Sequence, residues 1–185
     1  MHWTYCDIAD FSPEELQQAY ASLSPSRKEH IDRLRRQEDK NRSLAGEILA
    51  QKLLKEQYAI SAAVIHRHNS GQPYLTGCNL HISISHCDQL VACVVSENPV
   101  GIDIERIRPI NPQLCQRVCT EAEMAYLQPG NFEDPNILRR FFEIWTAKEA
   151  YFKKRGTGIT NLKSVNILEL PRQTHFIKDF VLQII

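Results

Sequence analysis

Two acidic residues in a short apolar stretch have the types and spacing of a metal site. Residues 100–105 read Val-Gly-Ile-Asp-Ile-Glu, and the alternation predicts a strand with Asp103 and Glu105 on one face and Ile102 and Ile104 on the other. Carboxylates held this close either bind a divalent cation or repel each other. An amphipathic strand with a solvated acidic face is an equally good interpretation of this stretch alone.

A second set of charged residues lies in the helical pattern of residues 141–153. Trp145, Glu149 and Lys153 follow one another at four-residue spacing, which places them along one stripe of a helix. Glu149 could supply a third metal ligand or a base, with Lys148 and Lys153 neutralising phosphate charge. An exposed ladder of ion pairs with Trp145 in the core explains the same spacing and is the more common case.

The remaining polar candidates are weaker. In residues 82–87, His86 falls at a predicted strand end where side chains can face a cleft, although a lone histidine is usually structural. Residues 26–55 hold nine Lys and Arg against five Asp and Glu, so Arg27, His30 and Arg42 could meet a phosphate, but a solvated helical face also accounts for these charges. Gly71-Gln72-Pro73 is a turn signal of low specificity.

The elements that must position these residues form two similar runs. Residues 3–8 predict a strand, Ser12 and Ser24 open helices, a longer helix passes through residues 44–53, and strand patterns follow at 63–65, 80–85 and 90–95, with a turn at 69–71. From residue 100 the order restarts with a strand, a helix opened by Thr120, a helix over about 136–154 and a strand near 165–168. We therefore predict an α+β fold made of two similar lobes, residues 1–99 and 100–185.

The C-terminal part of the second lobe shows fewer predicted strands than the matching part of the first. Residues 174–185 give a single long strand pattern where the first lobe has a pair, so a final strand could be missing from it.

The composition excludes several classes. With 22 Lys and Arg against 22 Asp and Glu, the chain carries no net charge, so we expect no general nucleic-acid binding. No apolar run approaches the length of a membrane span, and the N-terminus shows no leader pattern, so we expect no membrane association and a cytoplasmic location.

Taken in order, these motifs resemble the 4'-phosphopantetheinyl transferases of the surfactin-synthetase type. The resemblance is carried by four stretches and a lysine: residues 71–73 (Gly-Gln-Pro), 84–87 (Ile-Ser-His-Cys), 100–105 (Val-Gly-Ile-Asp-Ile-Glu) and 145–150 (Trp-Thr-Ala-Lys-Glu-Ala), followed by Lys153. Such enzymes are pseudo-dimers of two α+β lobes with the active site in the cleft between them. They transfer the phosphopantetheine arm of coenzyme A to a serine of an acyl or peptidyl carrier protein, using Mg²⁺ and releasing adenosine 3',5'-bisphosphate.

The resemblance implies roles for individual residues. Asp103, Glu105 and Glu149 match the metal-binding acids, and Glu149 also matches the residue that accepts the serine proton. Lys153 would contact the pyrophosphate. The other implied coenzyme A contacts lie mostly in the first lobe, on the adenine and 3'-phosphate side, and comprise Arg27, His30, Arg42, Gly71, Gln72, Pro73, Ser85, His86 and Lys148.

Two alternatives remain open. The same acids could serve a metal-dependent phosphodiesterase or pyrophosphatase acting on coenzyme A or nucleotides, with water as the nucleophile. A carrier-binding module that has lost catalytic activity is the other alternative.

The two lobes of one chain would complete the site by themselves, so we expect the protein to be a monomer.

Overall fold

The fold is described from a computed structural model, which covers residues 1–61, 63–68, 70–128 and 130–185. The chain divides into two compact units, Met1–Pro99 and Val100–Ile185. Both mix helices and strands, so the predicted α+β class is confirmed. Of the helices in the described part of the chain, none is long and apolar enough to cross a membrane.

The first unit packs a long helix on an antiparallel sheet. The sheet has the order β1-β5-β4, and a separate hairpin joins β2 to β3. Apolar side chains of α3, such as Leu49 and Leu53, pack with Val91, Cys93 and Val95 of β5 in the core. The elements are β1 (His2–Asp7), α1 (Pro13–Ser22), α2 (Pro25–Asp32), α3 (Gln37–Tyr58), β2 (Val64–Arg67), β3 (Pro73–Thr76), β4 (His81–Cys87) and β5 (Leu90–Ser96).

The starts of the short helices follow from local hydrogen bonding. Ser12 caps α1 by accepting from the Glu15 amide, and the Glu15 side chain returns a bond to the Ser12 amide. This reciprocal box satisfies amides that the first helical turn leaves without partners. Ser24 caps α2 by accepting from the amide of Arg27, with no returning side-chain bond among the described residues, and a proline lies in the first turn. The Ser24 cap fixes where α2 begins, and therefore the direction in which the side chains of Arg27 and His30 leave the helix.

The second unit also packs a long helix on a three-stranded antiparallel sheet, with the strand order β6-β8-β7. Its core joins Phe141, Ile144 and Ala147 of the long helix to Val181 of the sheet. The elements are β6 (Ile102–Arg106), α4 (Gln113–Val118), α5 (Glu121–Leu127), α6 (Pro135–Arg155), β7 (Gln173–Ile177) and β8 (Phe180–Ile184).

The sequence interpretation was wrong at the end of the second unit. The single long strand predicted for residues 174–185 is a hairpin, because the chain turns at Lys178, whose φ is +53°. The second sheet therefore has three strands among the described residues, as the first sheet has. The strand predicted near residues 165–168 is instead a 3-10 turn, Ile167–Glu169, which follows another, Leu162–Ser164.

Two further differences concern the first unit. The strand β3 was missed because its four residues follow directly on the turn signal at Gly71. The predicted turn at residues 69–71 lies partly outside the described residues, since it includes Asn69.

Candidate functional site

The acidic face of β6 is directed toward α6. A Cβ atom added at Gly101 would lie 1.9 Å from the carbonyl oxygen of Ala150, so glycine allows the strand backbone to lie against the helix. Strand periodicity gives Asp103 and Glu105 the same face as Gly101. Asp103 is only 2% exposed, whereas Glu105 is partly buried. The solvated face considered above is therefore excluded for Asp103.

Helix α6 brings a third acid and a base to this face. One oxygen from each of Asp103, Glu105 and Glu149 falls within a group whose members all lie within 4.8 Å of one another. Lys153, one turn after Glu149, donates a hydrogen bond of 2.6 Å from Nζ to Asp103 Oδ1. The predicted meeting of these four residues is thus observed within the second unit.

The electrostatics of this cluster favour a cation. Burial is the main cause that raises the pKa of Glu149 to about 7, and the negative charges of Asp103 and Glu105 raise it further, while Lys153 opposes the shift. A carboxyl group with such a pKa is half protonated near neutrality, because burial and then the neighbouring negative charges disfavour its ionised form. A bound divalent ion would supply that compensation.

The donor set fits Mg²⁺. Oxygen ligands bind Mg²⁺ at about 2.1 Å in an octahedron, so ligand oxygens on opposite sides of the ion are about 4.2 Å apart. One oxygen from each of the three acids lies within 4.8 Å of the other two, so these residues would hold such an ion. Three carboxylates would leave other positions of the octahedron to water or phosphate oxygens.

Lys148 is not part of this cluster. It is fully buried, and its ammonium group lies 2.6 Å from Glu123 Oε2. The same nitrogen donates hydrogen bonds of 2.7–2.9 Å to the carbonyl oxygens of Val118, Leu162 and Val165. These contacts neutralise the positive charge of Lys148 and engage its hydrogen-bond donors inside the core of the second unit. They give Lys148 a structural role in place of the predicted contact with coenzyme A.

Glu123, the partner of Lys148, was not singled out from the sequence. One of its oxygens accepts from the Thr120 amide and the other from the Ile167 amide, at 2.7 and 2.8 Å. A capping glutamate that also neutralises a distant buried lysine leaves no separate signal in the sequence.

In the first unit, α2 and the β2–β3 hairpin enclose a basic pocket of about 350 Å³. It brings together three of the predicted residues, Arg27, His30 and Gly71. Arg67 also lines it and was missed, because a single arginine on a short strand has no distinctive spacing. The neighbouring histidines in the row His66-Arg67-His68 are the only sequence signal that could have indicated it.

The other predicted contacts of the first unit lie outside the lining of this pocket. Arg42 donates a 2.8 Å hydrogen bond to the carbonyl oxygen of Asp88, at the turn after β4, and pairs with Asp39. On β4, Ser85 is buried and His86 is exposed. Gln72 and Pro73 lead into β3, and Pro73 is buried.

A trio of carboxylates with an adjacent lysine, in one α+β unit, is typical of enzymes that bind a divalent cation together with a phosphorylated substrate. Comparison with known proteins gives the family. A sequence profile described as the 4'-phosphopantetheinyl transferase superfamily matches residues 99–182, and one described as the N-terminal part of 4'-phosphopantetheinyl transferase matches residues 10–98. The chain belongs to the 4'-phosphopantetheinyl transferase superfamily.

Similar proteins carry consistent names. The chain is 28% identical over 152 residues to 4'-phosphopantetheinyl transferase Sfp of Bacillus subtilis, a match that covers 80% of the chain and 67% of Sfp. It is 38% identical over 123 residues to 4'-phosphopantetheinyl transferase gsp of Aneurinibacillus migulanus, covering 65% of the chain and 51% of that protein. HetI of Nostoc is 27% identical over 173 residues, covering 89% of the chain and 72% of HetI. The matched part thus spans about half to two thirds of Sfp and gsp.

Proposed function

We propose that this protein transfers the 4'-phosphopantetheine arm of coenzyme A to a serine of an acyl or peptidyl carrier protein, with Mg²⁺ as the cofactor. The serine oxygen would form a bond to the phosphorus next to the pantetheine arm. The pyrophosphate bond would break, and adenosine 3',5'-bisphosphate would leave. The observation that carries the proposal is the convergence of Asp103, Glu105 and Glu149 beside Lys153.

Each residue of the cluster has a chemical task in this reaction. Asp103, Glu105 and Glu149 would hold Mg²⁺, which supplies positive charge to a pyrophosphate when it is bound. Lys153 would turn toward the phosphate that becomes the leaving group, where it offsets developing negative charge. Glu149 would also accept the serine proton, directly or through a water.

The two units would share the substrate in this proposal. The second unit would hold the pyrophosphate, and the first would hold the adenosine and its 3'-phosphate, in the pseudo-dimeric arrangement that the family resemblance implies. The monomeric state, the cytoplasmic location and the absence of nucleic-acid binding stay predictions.

The direct test is a transfer assay read by mass spectrometry. Apo carrier proteins from fatty-acid, polyketide and peptide pathways are incubated with the protein, coenzyme A and Mg²⁺, and each product is weighed. The expected result is the gain of one phosphopantetheine on at least one carrier. We expect Asp103→Asn to lower the rate by about a thousandfold or more, since it removes a charged ligand from the metal group. Glu121→Gln, an exposed carboxylate of the same unit, is the matched control.

The assay also separates the alternatives. Adenosine 3',5'-bisphosphate released without any carrier would indicate a hydrolase. Coenzyme A affinity with no product under any divalent metal would indicate a binding module. No mass gain across the panel would overturn the proposal, and an unchanged rate in Asp103→Asn would overturn the metal assignment.

A further inference from the structure

A cation that belongs to the chain lies beside the acidic cluster of Asp103, Glu105 and Glu149. Lys153 donates a hydrogen bond of 2.6 Å from Nζ to Asp103 Oδ1. The side chain of Asp103 is 3% exposed and that of Lys153 is 30% exposed, so water screens this ion pair much less than a pair on the surface. Asp103 is also one of the acids whose oxygens lie within 4.8 Å of one another. The ammonium group is therefore a direct neighbour of the carboxylates that would hold a divalent cation.

Arg108 contacts the same cluster from the solvent side. Its Nη1 lies 3.3 Å from Glu105 Oε2, and its side chain is 56% exposed. The guanidinium carbon lies 5.5 Å from the centre of the Phe142 ring, which also attracts it. Exposed ion pairs of this kind contribute little, because water and salt screen them. Of these two cations, Lys153 therefore acts more strongly on the acids.

The ammonium group of Lys153 can leave Asp103 without a change in the backbone. Lys153 lies in the last turn of α6, and its charge is carried on a flexible four-carbon stem. Rotation of this side chain alone can exchange one oxygen partner for another. The carboxylate of Asp103 has less freedom, since it is buried on a strand that packs closely against α6.

The observed ion pair conflicts with a divalent cation on the same carboxylate oxygen. An Mg²⁺ ion lies about 2.1 Å from each oxygen that binds it. Because the ammonium nitrogen lies 2.6 Å from Asp103 Oδ1, an ion on that oxygen would lie less than about 5 Å from the nitrogen. Two positive charges at this distance, partly shielded from water, repel each other strongly. Binding of the ion would therefore displace the ammonium group of Lys153.

We propose that Lys153 and the divalent cation exclude each other at Asp103, so that Lys153 neutralises the acidic cluster until the metal binds and is then released toward the diphosphate of coenzyme A. The second half of this inference rests on the proposed function, because it takes coenzyme A as the substrate. The diphosphate offers the displaced ammonium group a new set of oxygen partners. Lys153 thus makes the metal and the substrate bind together.

The exclusion has two measurable consequences. Mg²⁺ alone should bind weakly, because it must break the bond between Lys153 and Asp103. Coenzyme A should strengthen Mg²⁺ binding, since the diphosphate receives the displaced ammonium group. The coupling is reciprocal, so Mg²⁺ should strengthen coenzyme A binding by the same factor.

Calorimetric titration of the whole protein with Mg²⁺, first alone and then with saturating coenzyme A, tests the inference. Without coenzyme A, we expect Lys153→Met to bind Mg²⁺ about tenfold more tightly than the wild type, because the competing charge is gone. The increase in Mg²⁺ affinity caused by coenzyme A should be about tenfold smaller in this variant. Lys153→Arg keeps the charge and should bind Mg²⁺ alone as the wild type does, within about threefold.

Two variants control for net charge. Lys154→Met removes the same charge from the next residue, whose side chain is exposed, and Arg108→Gln removes a charge from the solvent side of the cluster. We expect both to change the affinity for Mg²⁺ alone by less than about threefold, because these charges are screened. A tenfold gain in either control would show an effect of net charge alone and would contradict the inference.

The outcomes separate this inference from the proposed function. Equal or weaker binding of Mg²⁺ alone by Lys153→Met would show that both cations share the carboxylate, which overturns the exclusion and leaves the transferase proposal standing. A wild type that binds no Mg²⁺ and modifies no carrier would overturn both. If Lys153→Met fails to fold, Lys153→Gln, which keeps a hydrogen-bond donor without the charge, decides by the same criterion.

Discussion

The ammonium group of Lys148 lies 2.6 Å from Glu123 Oε2, and both side chains are completely buried. The next residue along α6 is Glu149, whose carboxylate belongs to the acidic cluster at β6. Two consecutive charged residues thus serve different purposes. Lys148 ties α6 to α5 and to the 3-10 turns, and this attachment fixes the segment of helix from which Glu149 projects.

Removal of the Lys148 charge should destabilise the second unit. Lys148→Met leaves the Glu123 carboxylate buried with no counter-charge, and the loss of one partner of a buried pair typically costs about 3–5 kcal/mol. We expect the free energy of unfolding from urea titration to fall by that amount.

A double variant provides the control for this prediction. Lys148→Met combined with Glu123→Leu removes the unpaired charge and should recover part of the lost stability, although the Thr120 and Ile167 amides then lose their acceptor. A single variant with wild-type stability and a raised KM for coenzyme A would instead support a substrate contact by Lys148.

Mg²⁺ should stabilise the protein more strongly at alkaline than at acidic pH. The pKa of Glu149 rises from 4.5 to about 7 in the folded, metal-free protein. A carboxyl group with a raised folded pKa contributes stability below about 4.5, and this contribution is lost as the pH rises through 7. Metal binding needs the ionised form, so it competes with the proton and its affinity rises over the same range.

Thermal melts at pH 5.5, 7 and 8.5, with and without Mg²⁺, check this expectation. The rise in Tm caused by Mg²⁺ should grow with pH in the wild type, by linkage between ligand binding and folding. In Glu149→Gln the Tm shift caused by Mg²⁺ should depend little on pH, since the titrating carboxyl group is absent. A shift in Tm of the same size at every pH would show that Glu149 does not bind the ion.

The close approach of β6 and α6 makes Gly101 sensitive to the smallest substitution. In Gly101→Ala, the new Cβ would lie 1.9 Å from the Ala150 carbonyl oxygen and 2.7 Å from the Lys154 amide nitrogen, so backbone must move. We expect a loss of about 3 kcal/mol in unfolding free energy and weaker Mg²⁺ binding, because Asp103 is two residues away on the same face.

Gly130→Ala is the matched control for this substitution. Among the described residues, its Cβ would meet only Ile137 Cδ1 at 3.7 Å, an ordinary contact, so its stability should stay within about 0.5 kcal/mol of the wild type. Equal stabilities of the two variants would refute the close approach.

The parts of the fold that depend on local interactions were predictable from the sequence. The caps at Ser12 and Thr120 and the alternation at Asp103 and Glu105 follow from neighbouring residues, and the structure confirms them. The meeting of Asp103 with Glu149 depends on how α6 packs on β6, and here only the resemblance to a family indicated it. Contacts over such sequence distances are set by tertiary packing, which no local pattern encodes.

The errors have the same physical origin. The β7–β8 turn uses Lys178 at positive φ, where asparagine or glycine would have given a turn signal, so the two strands looked like one. Lys148 was predicted to contact coenzyme A, and its buried acceptors, Glu123 and three carbonyl groups, come from segments that the sequence does not connect to it.

The order β6-β8-β7 also bears on how the second unit is made. Ile102 pairs with Ile184, so the strand that carries Asp103 and Glu105 gains its neighbour only after residues 180–184 have left the ribosome. Pairing across such a long stretch of chain is slow, because the loop must close before its contacts form. Synthesis of the acidic strand and completion of its sheet are therefore separate events in time, and a nascent chain that stops before β8 would carry β6 without its strand partner.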